Sequence, residues 1–227
     1  AMKALQPTKP VKILVPILLL ALTTLPLTAF AQADEPLTVD HVRPGAARPG
    51  LYLGLDTGVT DLDLDDGVKQ RFEDAGLALS PNGAGGGVFL GYSWSNEFAL
   101  ELQLNGSNMS AGEFDLESGL GEFVLAARAP LRTRARVSPY LQGHLGVGVI
   151  AFSGSRIDDR ALVGGMTGIG GGVEVHLTRH FAVDFGYRFS VINYQQEILE
   201  TETGDEEIDF DGSARSHRFM MRGSFSF

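Results

Sequence analysis

The stretch that decides the fold is residues 219–227, Phe219-Met220-Met221-Arg222-Gly223-Ser224-Phe225-Ser226-Phe227. Its odd-numbered positions are apolar or glycine, whereas Arg222, Ser224 and Ser226 share the other face. Side chains alternate between the two faces of a β-strand, so this pattern predicts a strand with one apolar and one polar face. In water the edge of such a strand invites aggregation, but a closed barrel in a lipid bilayer has no edge and surrounds the apolar face with lipid. The stretch therefore predicts one strand of a membrane-spanning β-barrel.

The same alternation recurs along the chain. The matching segments are long enough for a tilted membrane strand, which needs about 9–11 residues. An even number of strands suits an antiparallel barrel whose termini lie on one side, so the predicted fold class is all-β, an eight-stranded antiparallel up-and-down transmembrane β-barrel. The eight segments are 51–60, 85–94, 98–106, 120–130, 138–150, 164–177, 181–192 and 215–227.

The connections between these segments alternate in length. Those after the second, fourth and sixth segments are short, and those after the first, third, fifth and seventh are long. Membrane barrels show this asymmetry, with short turns in the periplasm and long loops outside the cell. The short connections are 95–97, 131–137 and 178–180, and the long ones are 61–84, 107–119, 151–163 and 193–214.

The alternation alone does not say which face points outward. A lipocalin-type barrel, with an apolar interior and a wet exterior, is the alternative. The polar face is built of glycine and charged residues, which suits the narrow interior of an eight-stranded barrel. The apolar face also carries aromatic residues near the strand ends, as an interfacial girdle does, so we expect it to face lipid. These aromatic residues are Trp94, Phe98, Phe181 and Phe227.

Residues 1–33 are typical of a secretory signal peptide, with three lysines, an apolar stretch and a small-x-small cleavage site. The apolar stretch has about 15 residues and is interrupted by prolines, so it is too short for a spanning helix, which needs ~20. We therefore predict a cleaved signal peptide at 1–33, a periplasmic lead-in at 34–49 and a barrel domain at 50–227. Export of a membrane-spanning β-barrel predicts the outer membrane of a Gram-negative bacterium as the location.

The charge balance is strongly acidic. Loss of the three signal-peptide lysines changes the formal net charge from −10 to −13. This argues against nucleic acid, or an anionic surface, as the main partner. The chain has no cysteine, which excludes disulfides and thiol chemistry.

Charges of both signs occur on the predicted inner face. Inside a narrow barrel they must be paired or hydrated, because an unpaired buried charge costs several kcal/mol. They could form a polar plug that closes the lumen or line a narrow ion path, and the plug is favoured because eight strands leave no aqueous channel. The residues are Glu101, Glu122, Glu174, Asp184, Arg128, Arg188, Arg218 and Arg222.

Candidates for catalysis are few. His144 and His176 lie on the polar faces of neighbouring segments, with Glu174 nearby, but no third ligand or nucleophile occurs at a recognisable spacing. A lipid A deacylase needs serine, histidine and an acid on the lipid-facing surface. The nearest pair, Ser216 and His217, is adjacent in a strand and points to opposite faces. The sequence predicts no catalytic, cofactor-binding or metal-binding residue, no cofactor and no enzyme.

The long connections are rich in acidic residues. Residues 61–67 resemble the start of a calcium loop, but Gly67 falls one place late and Phe72 stands where the twelfth ligand belongs. A looser role, with divalent cations bridging these acids to lipopolysaccharide, remains open, and residues 67–77 could form a short helix. The acids are Asp61, Asp63, Asp65, Asp66, Glu73 and Asp74 in the first connection, and Glu197, Glu200, Glu202, Asp205, Glu206, Glu207, Asp209 and Asp211 in the last.

Residues 91–101, 138–143 and 181–188 resemble the transmembrane barrel of the outer-membrane protein A family and its small relatives of the X type. The resemblance implies a structural and surface-interaction role in membrane integrity and adhesion, with small porin activity as the alternative. It also implies that the barrel-assembly machinery recognises the strand ending at Phe227. Outer-membrane lipids, lipopolysaccharide and a host or cell-surface ligand are the expected partners. The peptidoglycan-binding domain of longer family members is expected to be absent.

Overall fold

The fold was analysed in a computed structural model that describes residues 49–74, 79–95, 97–111, 116–131, 136–154, 157–201 and 204–227. The predicted signal peptide, and the predicted lead-in up to residue 48, lie outside these ranges. In the described part of the chain, no helix is both long and apolar enough to cross a membrane.

The described chain forms a closed barrel of eight antiparallel strands. Each strand pairs with the next one in sequence, and the last pairs with the first from Tyr52–Ser226 to Leu64–Ala214. The predicted fold class is therefore confirmed. The elements are β1 (Gly50–Leu64), α1 (Asp66–Asp74), β2 (Leu79–Ser93), β3 (Ala99–Ala111), β4 (Leu116–Pro130), β5 (Val137–Gly154), β6 (Ile157–His176), β7 (Phe181–Thr201) and β8 (Gly204–Ser226).

The two ends of the barrel differ. We call the end with the connections 94–98, 131–136 and 177–180 the turn end, and the end with α1 and the β7–β8 hairpin the helix end. Near the turn end the apolar face points outward, as predicted. Leu55, for example, is 66% exposed while the neighbouring Gly54 is buried. The barrel thus presents an apolar outer band and a polar interior at this level.

Small residues allow the inner side chains to fit. A side chain on Gly54 would overlap the ring of Phe89, and one on Gly91 would overlap the ring of Tyr52. The two rings pack edge to face on the inner face of the neighbouring strands β1 and β2, with centroids 6.2 Å apart. Glycine on the inner face is therefore what makes room for aromatic rings inside a barrel this narrow.

The strands are longer than the sequence predicted, which corrects the prediction of long loops. Most of 107–119, 151–163 and 193–214 is strand, and residues 112–115, 155–156 and 202–203 lie outside the described ranges. The β7–β8 ladder continues to the pair Thr201–Gly204. Backbone pairing satisfies N–H and C=O groups in water as well as in lipid, so the ladder does not stop at the edge of the apolar band.

Toward the helix end the polarity of the barrel inverts. In β1, Asp61 and Asp63 point outward and are exposed, while Leu62 and Leu64 point inward and are buried. The inward residues form an apolar cluster that Val68 of α1 joins and that the partly buried Phe210 packs against. The cluster consists of Leu62, Leu64, Val68, Met109, Leu120, Val124, Ala126, Ile150, Phe152, Leu162, Met166, Ile192, Tyr194 and Ala214. The short helix predicted over 67–77 is confirmed at Asp66–Asp74, and its Val68 packs into this cluster.

Candidate functional site

The lumen near the turn end is filled by an ionic network centred on Glu101. Its carboxylate is fully buried and accepts hydrogen bonds from four groups. One oxygen, Oε1, lies 2.8 Å from Nη1 of Arg128 and 2.7 Å from the hydroxyl of Tyr52. The other, Oε2, lies 2.7 Å from Nη2 of Arg222 and 2.7 Å from the amide nitrogen of Gln103. Every hydrogen-bonding site of this buried charge is therefore used.

Arg128 extends the network across the barrel. Its Nη2 donates to Glu174 at 2.8 Å and to Asp184 at 2.9 Å. The guanidinium also stacks on Tyr140, 3.9 Å from the ring centroid, and Tyr140 donates its hydroxyl to Asp184 at 2.8 Å. Because β4 carries Arg128 and β7 carries Asp184, these contacts tie together strands that do not pair with one another.

A second polar layer lies above the first. Arg188 pairs with Glu122 and donates to Gln103 at 3.0 Å. Arg218 donates to Asp56 at 2.7 Å and to Ser107 at 3.0 Å. The predicted inner-face charges are thus brought together inside the barrel. Above them lies the apolar cluster that Val68 of α1 joins, so the described inner side chains form two polar layers and one apolar layer.

Some space and some unsatisfied polar groups remain in the lumen. A cavity of about 50 Å³ lies at the turn end, beside Arg128, Glu174 and His176. Among the described residues, Glu122 Oε1 and both amide atoms of Gln142 are buried without a hydrogen-bond partner. Buried polar atoms of this kind are normally satisfied by water.

The two inner histidines belong to separate contacts. His144 Nε2 lies 2.9 Å from the hydroxyl of Ser190, and His176 Nε2 lies 3.1 Å from Glu174 Oε1. His144 pairs across the ladder with Gly168, eight residues from His176 on β6, which is roughly 26 Å along a strand. The structure does not bring them to one site. Within the described ranges, no group of three or more His, Cys, Asp or Glu side chains could hold a metal ion.

The predicted geometry of Ser216 and His217 is what the structure shows. Ser216 is 1% exposed and points into the barrel, whereas His217 lies on the outer surface. There, His217 Nδ1 is 2.6 Å from the hydroxyl of Tyr187. A serine–histidine dyad is therefore not formed by this pair. The contact with Tyr187 was missed because it joins two strands, and the sequence does not contain their register.

The acids of the first connection do not form a calcium loop. Asp61 and Asp63 point outward from β1, and Asp65 caps α1 by accepting a hydrogen bond from the backbone N–H of Val68 at 2.8 Å. The other oxygen of Asp65 accepts from the backbone and the hydroxyl of Ser213. Burial raises the pKa of the Asp65 carboxyl, but these hydrogen bonds outweigh burial and lower the pKa below its usual value. Asp65 is thus a helix cap that fastens α1 to β8.

Comparisons with known proteins agree with this architecture. The sequence matches the family model "Outer membrane protein beta-barrel domain" over residues 17–214. The chain therefore belongs to the outer-membrane β-barrel family, and the resemblance found at 91–101, 138–143 and 181–188 is confirmed. Membership of this family implies the outer membrane as its location. A search of curated proteins gave no match.

Comparison with solved structures found several similar chains. Neisserial surface protein A is 18% identical, with a TM-score of 0.53 and coverage of 78% of this chain and 97% of that chain. Ail, the attachment invasion locus protein of Yersinia pestis, is 15% identical, with a TM-score of 0.48 and coverage of 79% and 100%. OprG from Pseudomonas aeruginosa is 15% identical, with a TM-score of 0.46 and coverage of 80% and 98%. At such identities the likeness to Neisserial surface protein A concerns the fold alone.

Proposed function

We propose that this protein is a closed structural barrel that contributes to outer-membrane integrity and to adhesion through its acidic outer strands. The observation that carries the proposal is the closed lumen. The ionic network around Glu101 and the apolar cluster beneath α1 fill the interior at successive levels. A barrel whose described interior is packed in this way offers its surface, rather than its interior, to a partner. We therefore look for function at the helix end, which corresponds to the predicted extracellular side.

The β7–β8 hairpin is the most prominent feature at that end. Between Arg188 and Arg215 the sequence contains eight acidic residues and no lysine or arginine. The paired strands continue from His217 to Gly204, thirteen residues that rise roughly 30 Å at ~3.3 Å per residue and a tilt of ~40°. A long acidic hairpin is suited to a basic partner on a host or neighbouring cell, through attraction that salt weakens.

Adhesion of cells that express the full chain tests the proposal. Replacement of Asp205, Glu206 and Glu207 by Asn, Gln and Gln removes charge at the hairpin without changing the barrel. We expect fewer cells to adhere to wells coated with host-matrix proteins, and we expect 0.5 M salt to reduce wild-type adhesion to the level of the variant. The control is Glu73→Gln, an exposed acid of α1. Equal adhesion of the hairpin variant and the wild type would refute the role of the hairpin.

A small ion path is the second candidate function. The unpartnered atoms of Glu122 and Gln142 and the cavity at the turn end favour water in the lumen. Planar-bilayer recordings of purified protein distinguish the two candidates. A structural barrel gives no stable unitary conductance, whereas an ion path gives a reproducible one that Ile192→Ser, in the apolar cluster, should increase.

We propose no enzymatic role. Ser216 and His217 lie on opposite sides of the barrel wall, which removes the pair that a lipid A deacylase would need. Mass spectrometry of lipid A from expressing cells should show the same acyl chains as in cells without the protein. Loss of an acyl chain would contradict this proposal.

A further inference from the structure

Two basic side chains stand on the outer surface of β8, at the edge of its apolar band. Arg215 is exposed and His217 is half-buried, whereas the intervening Ser216 points into the barrel. Below them on the same face are Phe219 and Met221, both exposed. Among the strand residues that the structure describes with outward-facing side chains, Arg215 and His217 are the basic ones. This face therefore differs from the rest of the barrel wall.

The height of these residues follows from the strand geometry. From Phe227 to His217 there are ten residues, which at ~3.3 Å per residue and a tilt of ~40° rise about 25 Å, the height of the apolar band of a membrane barrel. β1 gives an independent check, since ten residues separate Leu51 from Asp61, where its outer face becomes charged. Arg215 and His217 thus lie at the boundary between the acyl chains and the headgroups.

The imidazole of His217 is held in place by its neighbours. Its Nδ1 lies 2.6 Å from the hydroxyl of Tyr187, and its ring centroid lies 5.1 Å from that of Phe189. Tyr187 packs in turn against Phe219, with centroids 4.9 Å apart. When Tyr187 donates its proton to Nδ1, the other nitrogen, Nε2, carries a proton and becomes a donor. Tyr187 is therefore a positioning residue for His217.

We propose that Arg215 and His217 bind a phosphate group of lipid A, whose acyl chains pack on Phe219 and Met221 below. Guanidinium and imidazole N–H groups form charge-assisted hydrogen bonds to phosphate, and these are stronger than bonds between neutral groups. A lipid satisfies both halves of this surface at once, because its phosphate lies directly above its acyl chains. The inference rests on the proposed surface role and names a lipid partner for the barrel wall.

The acidic neighbours on β1 suggest a control. In the β1–β8 ladder Asp61 pairs with His217 and Asp63 pairs with Arg215. Asp63 lies 3.5 Å from Lys69 Nζ, whereas Asp61 is exposed beside His217. If phosphate binds directly to the basic side chains, Asp61 repels it and Asp61→Asn strengthens binding. If a divalent cation bridges Asp61 to phosphate instead, Asp61→Asn and EDTA both weaken binding.

The experiment measures lipid A binding to the purified full chain by native mass spectrometry. We expect the double variant Arg215→Gln/His217→Gln to bind lipid A about tenfold more weakly than the wild type. Tyr187→Phe, which keeps the ring but removes the hydroxyl, should give a smaller loss. The matched control is Arg136→Gln, an exposed arginine at the turn end. Folding of each variant is checked by the difference in gel mobility between unheated and boiled samples.

Several outcomes would overturn the proposal: a double variant that binds as tightly as the wild type, binding that EDTA abolishes, or equal loss in Arg136→Gln. Equal affinity for phosphatidylglycerol would overturn the assignment to lipid A, because any lipid phosphate would then suffice. None of these results affects the adhesion assay, which depends on the β7–β8 hairpin. The failure of this inference and the failure of the proposed function can therefore be told apart.

Discussion

Replacement of the buried carboxylate of Glu101 by an amide tests whether the ionic network stabilises the barrel. In Glu101→Gln one of the two oxygens becomes an NH2 group. Either oxygen currently accepts from two donors: Arg128 and Tyr52 on one, Arg222 and Gln103 on the other. The new NH2 group would therefore face two donors, and two arginines would lose their shared counter-charge.

The expected cost follows from these contacts. Hydrogen bonds to a charged group are worth about 1.5–3 kcal/mol each, and removal of one partner from a buried ion pair costs about 3–5 kcal/mol. Two such hydrogen bonds amount to about 3–6 kcal/mol, which agrees with the ion-pair figure, so we expect a loss of about 3–5 kcal/mol in the free energy of unfolding. The folding equilibrium constant should thus fall roughly 100- to 4,000-fold, since 1.4 kcal/mol is a factor of ten.

Urea unfolding in lipid vesicles measures this loss. Trp94, the one tryptophan in the sequence, is 40% exposed at the turn end, so its fluorescence should report withdrawal of that end from lipid. The matched control is Glu73→Gln, the same change at an exposed position of α1. Unfolding of both variants within about 0.5 kcal/mol of one another, the usual range for surface substitutions, would show that the ionic network does not stabilise the barrel.

Four further predictions rest on particular contacts. Gly54→Ala should lower the free energy of unfolding by about 1–3 kcal/mol, because a methyl group there overlaps Phe89, whereas Gly143→Ala, with nothing within 4 Å, should leave it unchanged. Asp65→Ala should increase hydrogen exchange of the α1 amides at neutral pH, because loss of an N-cap costs about 1 kcal/mol. In the wild type, the pKa of Asp65 is lowered in the folded state, so the contribution of its carboxylate to stability is complete above about pH 4. This contribution is lost as the pH falls through the folded-state pKa, and NMR of α1 during acid titration measures the loss. The backbone of Phe227 donates one hydrogen bond to Leu51, so deletion of Phe227 should slow insertion in cells more than it lowers stability in vesicles. Normal assembly of the deletion variant would show that the terminal aromatic is not a recognition signal.

The sequence predicted the part of the barrel within the apolar band well, because there lipid outside and polar groups inside impose strict alternation. It failed where that condition ends. Leu62 and Leu64 point inward, as the polar inner residues of β1 nearer the turn end do. At their level water surrounds the barrel, so the inward-facing side chains are apolar and the outward-facing ones are charged. Side chains therefore continue to alternate between the two faces, but the polar and apolar faces are exchanged. For this reason the segments beyond the band were interpreted as loops.

The sequence predicted which charged residues line the interior, but it did not predict which of them pair with one another. The inner-face position of Arg128 and Asp184 follows from alternation. That Arg128 reaches Asp184 depends on the closure of the barrel, which brings β4 and β7 within reach across the lumen. The contact between Tyr187 and His217 likewise depends on the β7–β8 register. Long-range geometry of this kind is not contained in a local pattern.

The change of polarity along β1 has a consequence for temperature. The turn end is held by buried ion pairs such as that between Glu101 and Arg222, whereas the helix end is held by an apolar cluster surrounded by water. Hydrophobic stabilisation weakens on cooling because apolar hydration has a large heat capacity. Cold should therefore loosen the helix end before the membrane-embedded ring, so that one continuous sheet contains two regions with different thermal responses.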